Sequence, residues 1–448
     1  MPDPVAAWGE ALDDALAQES ADWLDRRQRA TGLAFGARAL CTVLRPRFLR
    51  TAEYDALRLM SASLLGAFRV IGEAAMVDAD LRAQFRLTDW EETLLSAAPR
   101  LDSLAPLSRL DAFIDPAGTP RITEYNGETP AGGGYCDALT DIFLALPAMR
   151  AFGTRWQVRA LPNRPNILNV LLETWHRFRG VRSLPTMAIV DWDDVPTMSE
   201  FRLCQEYFQA MGLTCVITTP DALSYEGGVL RDEHGTSIDL IYKRVLIHEL
   251  VAHGGLQHPL VRAVVDGATC LVNPFACKPL HKKASLAVLS DERNAHRFTA
   301  AQRTAITTHV PWTRVIEARR TLVDGAEVDL LPWILAHRDE LVLKPNDDYG
   351  GAGIVLGWEA DDATWQAAIT RGTAEPSIVQ RKIVLPYESF PSMVDGHVTW
   401  EDRIVDTAPF CYHGAWMDGL LSRISTSTLV NVTAGGGSTV PTFVVEPR

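Results

Sequence analysis

The sequence predicts a mixed α/β (α+β) protein, and three observations carry that reading. Residues 5–100 repeat their apolar positions at helical spacing, as in Tyr54, Leu57, Met60, Leu64 and Phe68. From Pro165 onward, helical and strand-like stretches alternate in a βαβ order. Residues 341–358, LVLKPNDDYGGAGIVLGW, read as a strand ending in a lysine, a glycine-rich turn and a second strand.

A chain of 448 residues, 47% of them hydrophobic, has material for two or three subdomains. Its formal net charge of -13 argues against a general nucleic-acid or anionic-membrane surface and leaves room for a local basic pocket. The seven cysteines are scattered without a CxxC pair, which indicates neither a disulfide framework nor a zinc cluster and fits a reducing cytoplasm. The acidic start of the chain lacks a charged-then-apolar signal pattern, and no apolar run approaches a membrane span, so a soluble, unprocessed protein is expected.

After the helical front, residues 110–126 change to short strands, and DAFIDPAGTPRITEY reads as a β-hairpin turning at Pro116, Ala117 and Gly118. In the next unit NILNVLLETWHRF is helical, PTMAIVDW strand-like, FRLCQEYFQAMG a helix closing on Gly212, and TCVITT a strand. A hairpin over 226–239 and the strand IDLIYKRV lead to NPFACKPLHKKASLAVLSDE, a turn followed by a helix. The last third holds LVLKP, the glycine turn, a helix over 363–370 and the strand SIVQRKIV, and then strands and turns reaching the glycine-rich TAGGGS.

Gly350, Gly351 and Gly353 permit backbone conformations and close approaches that a Cβ would obstruct, and their amides can cradle phosphates; a purely structural turn has the same composition. A P-loop places its lysine after the glycines, followed by Ser or Thr and a helix. Here Lys344 comes first and a strand follows, which argues against Walker-type chemistry. In the hairpin, Glu124 and Asn126 alternate onto one strand face, and Asp111 on the other arm can reach it. Two carboxylates and an amide oxygen form the hard-oxygen set that magnesium takes, its remaining ligands coming from water and phosphates. The plain alternative is a solvated strand face.

In order, RLD, ITEYNGETP, NPF with HKKASLAVL, LVLKP with GGAG, and IVQRKIVLP resemble the circularly permuted ATP-grasp proteins, including the glutathionylspermidine synthase type, over nearly the whole chain. Ordinary ATP-grasp enzymes carry the metal-binding acid and the E-x-N pair after the nucleotide lysines, whereas Glu124 and Asn126 here precede Lys344. The resemblance implies a helical N-terminal section (1–105), permuted ATP-grasp strands carrying the metal site (106–160), a preATP-grasp-like α/β subdomain (161–280) and ATP-grasp nucleotide-binding subdomains (281–448).

The resemblance further implies that Asp111, Glu124 and Asn126 hold two magnesium ions (Mg2+) that bridge the phosphates of ATP. Arg109 would point at the γ-phosphate or the acyl-phosphate, and Lys283 and Lys344 would contact the α- and β-phosphates, with Lys282 as the alternative to Lys283. The loop containing Gly350, Gly351 and Gly353 would close over the phosphates. Gln380, Lys382 and Ile383 would belong to the hinge that meets the adenine edge through backbone groups. Arg423 and Asn431 match positions facing the catalytic cleft, and a plain structural role is the alternative for Arg423.

The implied reaction is phosphorylation of a carboxylate by ATP and attack of an amine on the acyl-phosphate. That describes an ADP-forming carbon-nitrogen ligase acting on small-molecule or peptide carboxylates and amines. Such catalysis rests on positioning and charge stabilisation, so it needs no Ser-His-Asp or Cys-His arrangement. The alternatives are a phosphotransferase giving a stable phosphorylated product and a non-catalytic ATP-binding scaffold. The chain begins directly with helices, so the amidase domain that glutathionylspermidine relatives often carry is not expected.

Four other features have plainer readings. In HELVAH, His248 and His253 are five apart and do not stack on one helical face, so a zinc peptidase is not expected. Lys243 and Arg244 fit either an anion site or a solvated strand end, and Gly132, Gly133 and Gly134 either a backbone approach to a ligand or a simple turn. Cys136 reads as a small buried residue.

Overall fold

The computed structural model describes residues 2–35, 38–99, 101–347, 351–427 and 437–448. Helix Asp14–Thr31 begins where the Asp13 carboxylate accepts the Leu16 amide, and it ends at Gly32, whose φ of 63° suits a residue without a Cβ. Helix Thr51–Ala75 buries Tyr54, Leu57, Met60, Leu64 and Phe68 along one stripe. That stripe shares a core with Leu110, Ile122 and Tyr125, and the Phe68 and Tyr125 rings stack with centroids 4.2 Å apart. The β-hairpin of the metal-ligand candidates is thus backed by the front section.

The front section is not wholly helical. Ala34–Phe35 pairs with Arg38–Ala39, and Arg47–Leu49 adds in parallel to Thr442–Pro447. The latter partner lies at the other end of the chain, so local periodicity carries no trace of it.

The strands Leu107–Ile114 and Pro120–Asn126 form the expected hairpin, with Gly118 at a φ of 82° in its turn. They sit at one edge of a seven-stranded antiparallel sheet whose other strands come from the C-terminal part of the chain. Ala408–Tyr412 pairs with Leu107–Ile114, and Trp416–Ser425, His397–Val405 and Tyr387–Val394 follow outward. The register sets Arg109 opposite Asn126 and Asp111 opposite Glu124, so the four side chains share one face. An irregularity between Asp111 and Ala112 shifts the pairing immediately beyond them.

The βαβ unit folds as a four-stranded parallel sheet in the order Cys270–Val272, Leu240–Lys243, Met187–Val190 and Cys215–Thr218. Ile167, Leu171 and Trp175 of helix Arg164–Arg179, with Phe201 and Phe208 of helix Met198–Ala210, pack on Met187, Ile189 and Tyr242.

A second four-stranded sheet, antiparallel, runs Thr313–Val315, Ser377–Arg381, Leu341–Pro345 and Val355–Leu356. Leu341, Leu343 and Val379 pack on Trp365 and Ile369 of helix Asp362–Ala374, which is longer than the expected 363–370. The strand expected through SIVQRKIV stops at Arg381, because its neighbours reach no further: Leu341 pairs with Arg381 and Thr313 with Gln380. Lys382 and Ile383 therefore lie just past the strand. Upstream, NPFACKPLHKK folds as two short turns, Phe275–Cys277 and Lys278–His281, ahead of helix Ala284–Ser290. Among the described residues no helix is long and apolar enough to cross a membrane.

Candidate active site

A cavity of about 760 Å³ opens between the second four-stranded sheet and the edge of the seven-stranded sheet. Asp111, Glu124, Lys344 and Arg423 line it, together with Gln380, Lys382 and Ile383. Residues predicted from three separate stretches of sequence thus meet in one space, and its size is that of a small-molecule site.

On the acidic side, Asp111 is embraced by two arginines. Arg109 donates from Nε to Oδ1 at 2.6 Å and from Nη2 to Oδ2 at 2.8 Å, and Arg423 Nη2 donates to Oδ2 at 3.0 Å. Burial by itself would raise the Asp111 carboxyl, but the two guanidiniums hold it down at about 2. The third Arg109 nitrogen donates to the Ala131 carbonyl at 2.6 Å, so Arg109 stands behind Asp111 and is not on the cavity wall. Arg423 is on that wall, and its other partner is Asp406, which receives the Arg423 backbone amide at 2.7 Å and its Nε at 2.5 Å. Burial, with Asp111 adding to it, raises the Asp406 carboxyl against the pull of Arg423. Asp406 was not singled out from sequence, since a lone Asp near a strand end carries no motif.

Glu124 faces Lys283 at 3.1 Å. Burial opposes its ionisation, yet Lys283 and Lys344 together keep it below the usual carboxylate range. Asn126 Oδ1 is buried and has no hydrogen-bond partner among the described residues. An orphaned amide oxygen on the same face as two ionised carboxylates is the donor set a hard divalent cation takes, so the three residues fit magnesium.

The lysines divide by direction. Lys344 Nζ donates to Gln380 Oε1 at 2.8 Å and to the Thr123 carbonyl at 3.0 Å. Burial, reinforced by Lys283, pushes the Lys344 ammonium down to about 8 in spite of Glu124 and Asp111. Lys283 turns to Glu124, whereas Lys282 turns away to Glu91 at 2.8 Å and Asp347 at 3.0 Å. Of the adjacent pair, Lys283 is the one that meets the candidate metal ligands.

In the hinge, the Gln380 side chain is spent on Lys344 and on Thr313 Oγ1 at 3.1 Å, and the amides of Arg381 and Lys382 donate to the Trp312 and Glu340 carbonyls. The Lys382 ammonium stands 4.0 Å over the Trp358 ring. Gly351 and Gly353 have φ of 80° and 68°, the left-handed region that favours glycine, and Gly351 lines the cavity. Gly350 and Asn431 lie outside the described residues.

Beside the cavity lies a buried ion-pair network that sequence reading missed. Lys278 Nζ reaches Asp347 at 2.8 Å, Glu128 at 3.1 Å and Glu91 at 3.5 Å. Glu128, His281 and Asp347 converge closely enough to suggest a metal cluster, but the Lys278 ammonium already compensates it. Asp347 opens the glycine-rich turn, so the network ties the base of that turn to the front section through Glu91. The i, i+4 spacing of Lys278 and Lys282 was the available signal.

The remaining candidates settle into structural roles. Lys243 is buried against the Val245 carbonyl at 3.2 Å and Glu128 at 3.5 Å, and Arg244 donates to the Pro130 carbonyl at 2.9 Å. The amides of Gly132 and Gly134 donate to Glu200 Oε1 at 2.8 and 3.0 Å. His253 pairs with Asp221 at 2.9 Å, Glu249 accepts from Trp192 Nε1 at 3.2 Å, and Cys136 is buried with its thiol pushed upward by desolvation.

No family model matches the chain. A protein of Frankia alni named "Putative glutamate--cysteine ligase 2-3" is 28% identical over 243 residues, which make up 51% of this chain and 26% of that protein. An uncharacterized protein of Mycobacterium tuberculosis is 32% identical over 140 residues, 30% of this chain and 24% of its own length. The chain spans only those fractions, 26% and 24%, of the curated relatives it matches. Among solved structures, a glutathione synthetase-like effector of Globodera pallida in its apo form superposes with a TM-score of 0.62 over 97% of this chain and 98% of that one, at 12% identity. The likeness shows the fold, that of a glutathione synthetase-like protein, in agreement with the mixed α/β architecture expected from the sequence.

Proposed function

We propose that the protein is an ATP- and magnesium-dependent carboxylate-amine ligase that works through an acyl-phosphate. The observation that supports it best is the convergence of Lys344, Asp111, Glu124 and Arg423 on one cavity walled by the hinge residues 380–383. The named ligase among the relatives and the ATP-grasp fold support the same reading. In this reading the order of the motifs reflects a circular permutation, the segments 1–105, 106–160, 161–280 and 281–448 are its subdomains, and the enzyme works in the cytoplasm.

Each part of the cavity has a task. The hinge past Arg381 receives the adenine edge, and Lys344, with Lys283, neutralises phosphate oxygens. Asp111, Glu124 and Asn126 would hold magnesium, which when bound offsets the charge of the phosphates. Arg109 keeps Asp111 ionised and oriented. Arg423, fixed by Asp406, presents a guanidinium at the reacting end of the cavity.

The substrate carboxylate oxygen attacks the γ-phosphorus of ATP and ADP leaves. The amine then attacks the acyl carbon, phosphate leaves, and the amine gives up a proton. The chain supplies position and charge, and no side chain becomes covalently bound. The test is ADP release from ATP and magnesium across a panel of amino acids, short peptides and polyamines, with mass spectrometry of products. ADP formation that requires one acid and one amine, with a product lighter by one water than their sum, is expected; ADP accompanied by a stable phosphorylated product contradicts the ligase reading.

A further inference from the structure

A second cavity, of about 590 Å³, lies back to back with the first. Residues 381–384 line both, so the hinge is a wall between two spaces. The floor of the second cavity is apolar, built from the buried Leu289, Phe298, Ile306 and Val310. The four carboxylates on its wall, Asp115, Asp291, Glu292 and Asp324, are each held by an arginine at 3.0 Å or less. One cation on the wall is not so compensated: Arg303 donates to the Phe298 carbonyl and has no carboxylate within ion-pair distance among the described residues, whereas the Lys382 ammonium stands over Trp358 on the wall of the first cavity.

We propose that this second cavity binds an amphipathic anion: an aromatic or apolar body, carrying a carboxylate, sulfonate or phosphate that Arg303 receives. An apolar floor of this size rewards burial of a ring, and Arg303, without a carboxylate partner among the described residues, leaves the site short of negative charge. Because residues 381–384 face both cavities, an occupant of the second one displaces or stiffens the hinge and changes affinity in the first. This coupling rests on the nucleotide reading of the first cavity; the anion site itself does not.

The test is a fluorescence titration of the full chain with anilinonaphthalene sulfonate, an aromatic anion. Saturable binding is expected. Arg303→Glu and Leu322→Glu, which place negative charge on exposed parts of the wall, weaken it by about tenfold or more, the scale of one charge-assisted hydrogen bond. Lys344→Met, which alters only the first cavity, leaves it within about twofold. No saturable binding, unchanged affinity in both wall variants, or loss in Lys344→Met overturns the site. For the coupling, ATP with magnesium and the probe change each other's affinity by one common factor. If both bind and neither affects the other, the coupling is wrong. If ATP does not bind and the probe does, the anion site stands and the nucleotide reading falls.

Discussion

Gln380 holds the Lys344 ammonium at 2.8 Å, and the direction of its amide is dictated from outside the cavity. The Thr313 hydroxyl donates to the Pro311 carbonyl at 2.7 Å, so it can only accept from Gln380 Nε2, at 3.1 Å, which leaves Oε1 facing the lysine. All three side chains are buried, so this arrangement is held by protein partners. Gln380 is therefore a positioning residue for Lys344, a role distinct from contact with a base.

Gln380→Leu tests that role. It removes one acceptor from a buried ammonium, an effect of about 1–3 kcal/mol. The KM for ATP is expected to rise about tenfold or more with the fold retained. An unchanged KM in a well-folded variant contradicts the role.

Titration of Lys344 gives a pH dependence. Its folded value of about 8 lies below the usual 10.5, so between these values the unfolded chain binds the proton and the folded one does not. Stability contributed by this group rises with pH through that window. Nucleotide phosphates favour the charged ammonium, so affinity for ATP falls as pH climbs above about 8, and binding there takes up a proton. Calorimetric titrations in buffers of different ionisation enthalpy measure the uptake, and Lys344→Arg, charged throughout, flattens the profile.

Asp111→Asn leaves Arg109 and Arg423 without their shared carboxylate. Breaking a buried pair in this way destabilises by about 3–5 kcal/mol, read as a lower denaturation midpoint at neutral pH. In the parent, the carboxyl at about 2 is depressed from 3.8, so its stabilisation is complete above 3.8 and fades as pH falls through about 2. The gap between parent and variant narrows over that range.

Glu124→Ala removes a candidate magnesium ligand. Turnover is expected to fall by about 10²-fold or more, the scale of losing one transition-state stabiliser, with circular dichroism unchanged. Parent-like turnover in the folded variant contradicts the assignment.

Much of this architecture was legible in local sequence pattern. The stripe of Tyr54, Leu57, Met60, Leu64 and Phe68 became a buried helix face, and strand alternation placed Asp111 opposite Glu124. What escaped depends on partners distant in the chain. Arg47–Leu49 is a strand because of Thr442–Pro447, and Asp406 gains its meaning from Arg423 and Asp111. Arg109 shows the limit of spacing arguments. Sharing a face with Asp111 brought the two into contact, and that contact turned the guanidinium away from the cavity.

The most direct test of an acyl-phosphate needs no knowledge of the amine. The protein is incubated with ATP, magnesium and a panel of carboxylic acids in the presence of hydroxylamine, and hydroxamates are measured beside ADP. The account predicts that one class of acid yields hydroxamate and ADP in equal amounts, with both lost in Glu124→Ala. Acid-dependent ADP formation without hydroxamate, accompanied by a stable phosphorylated product, would contradict it.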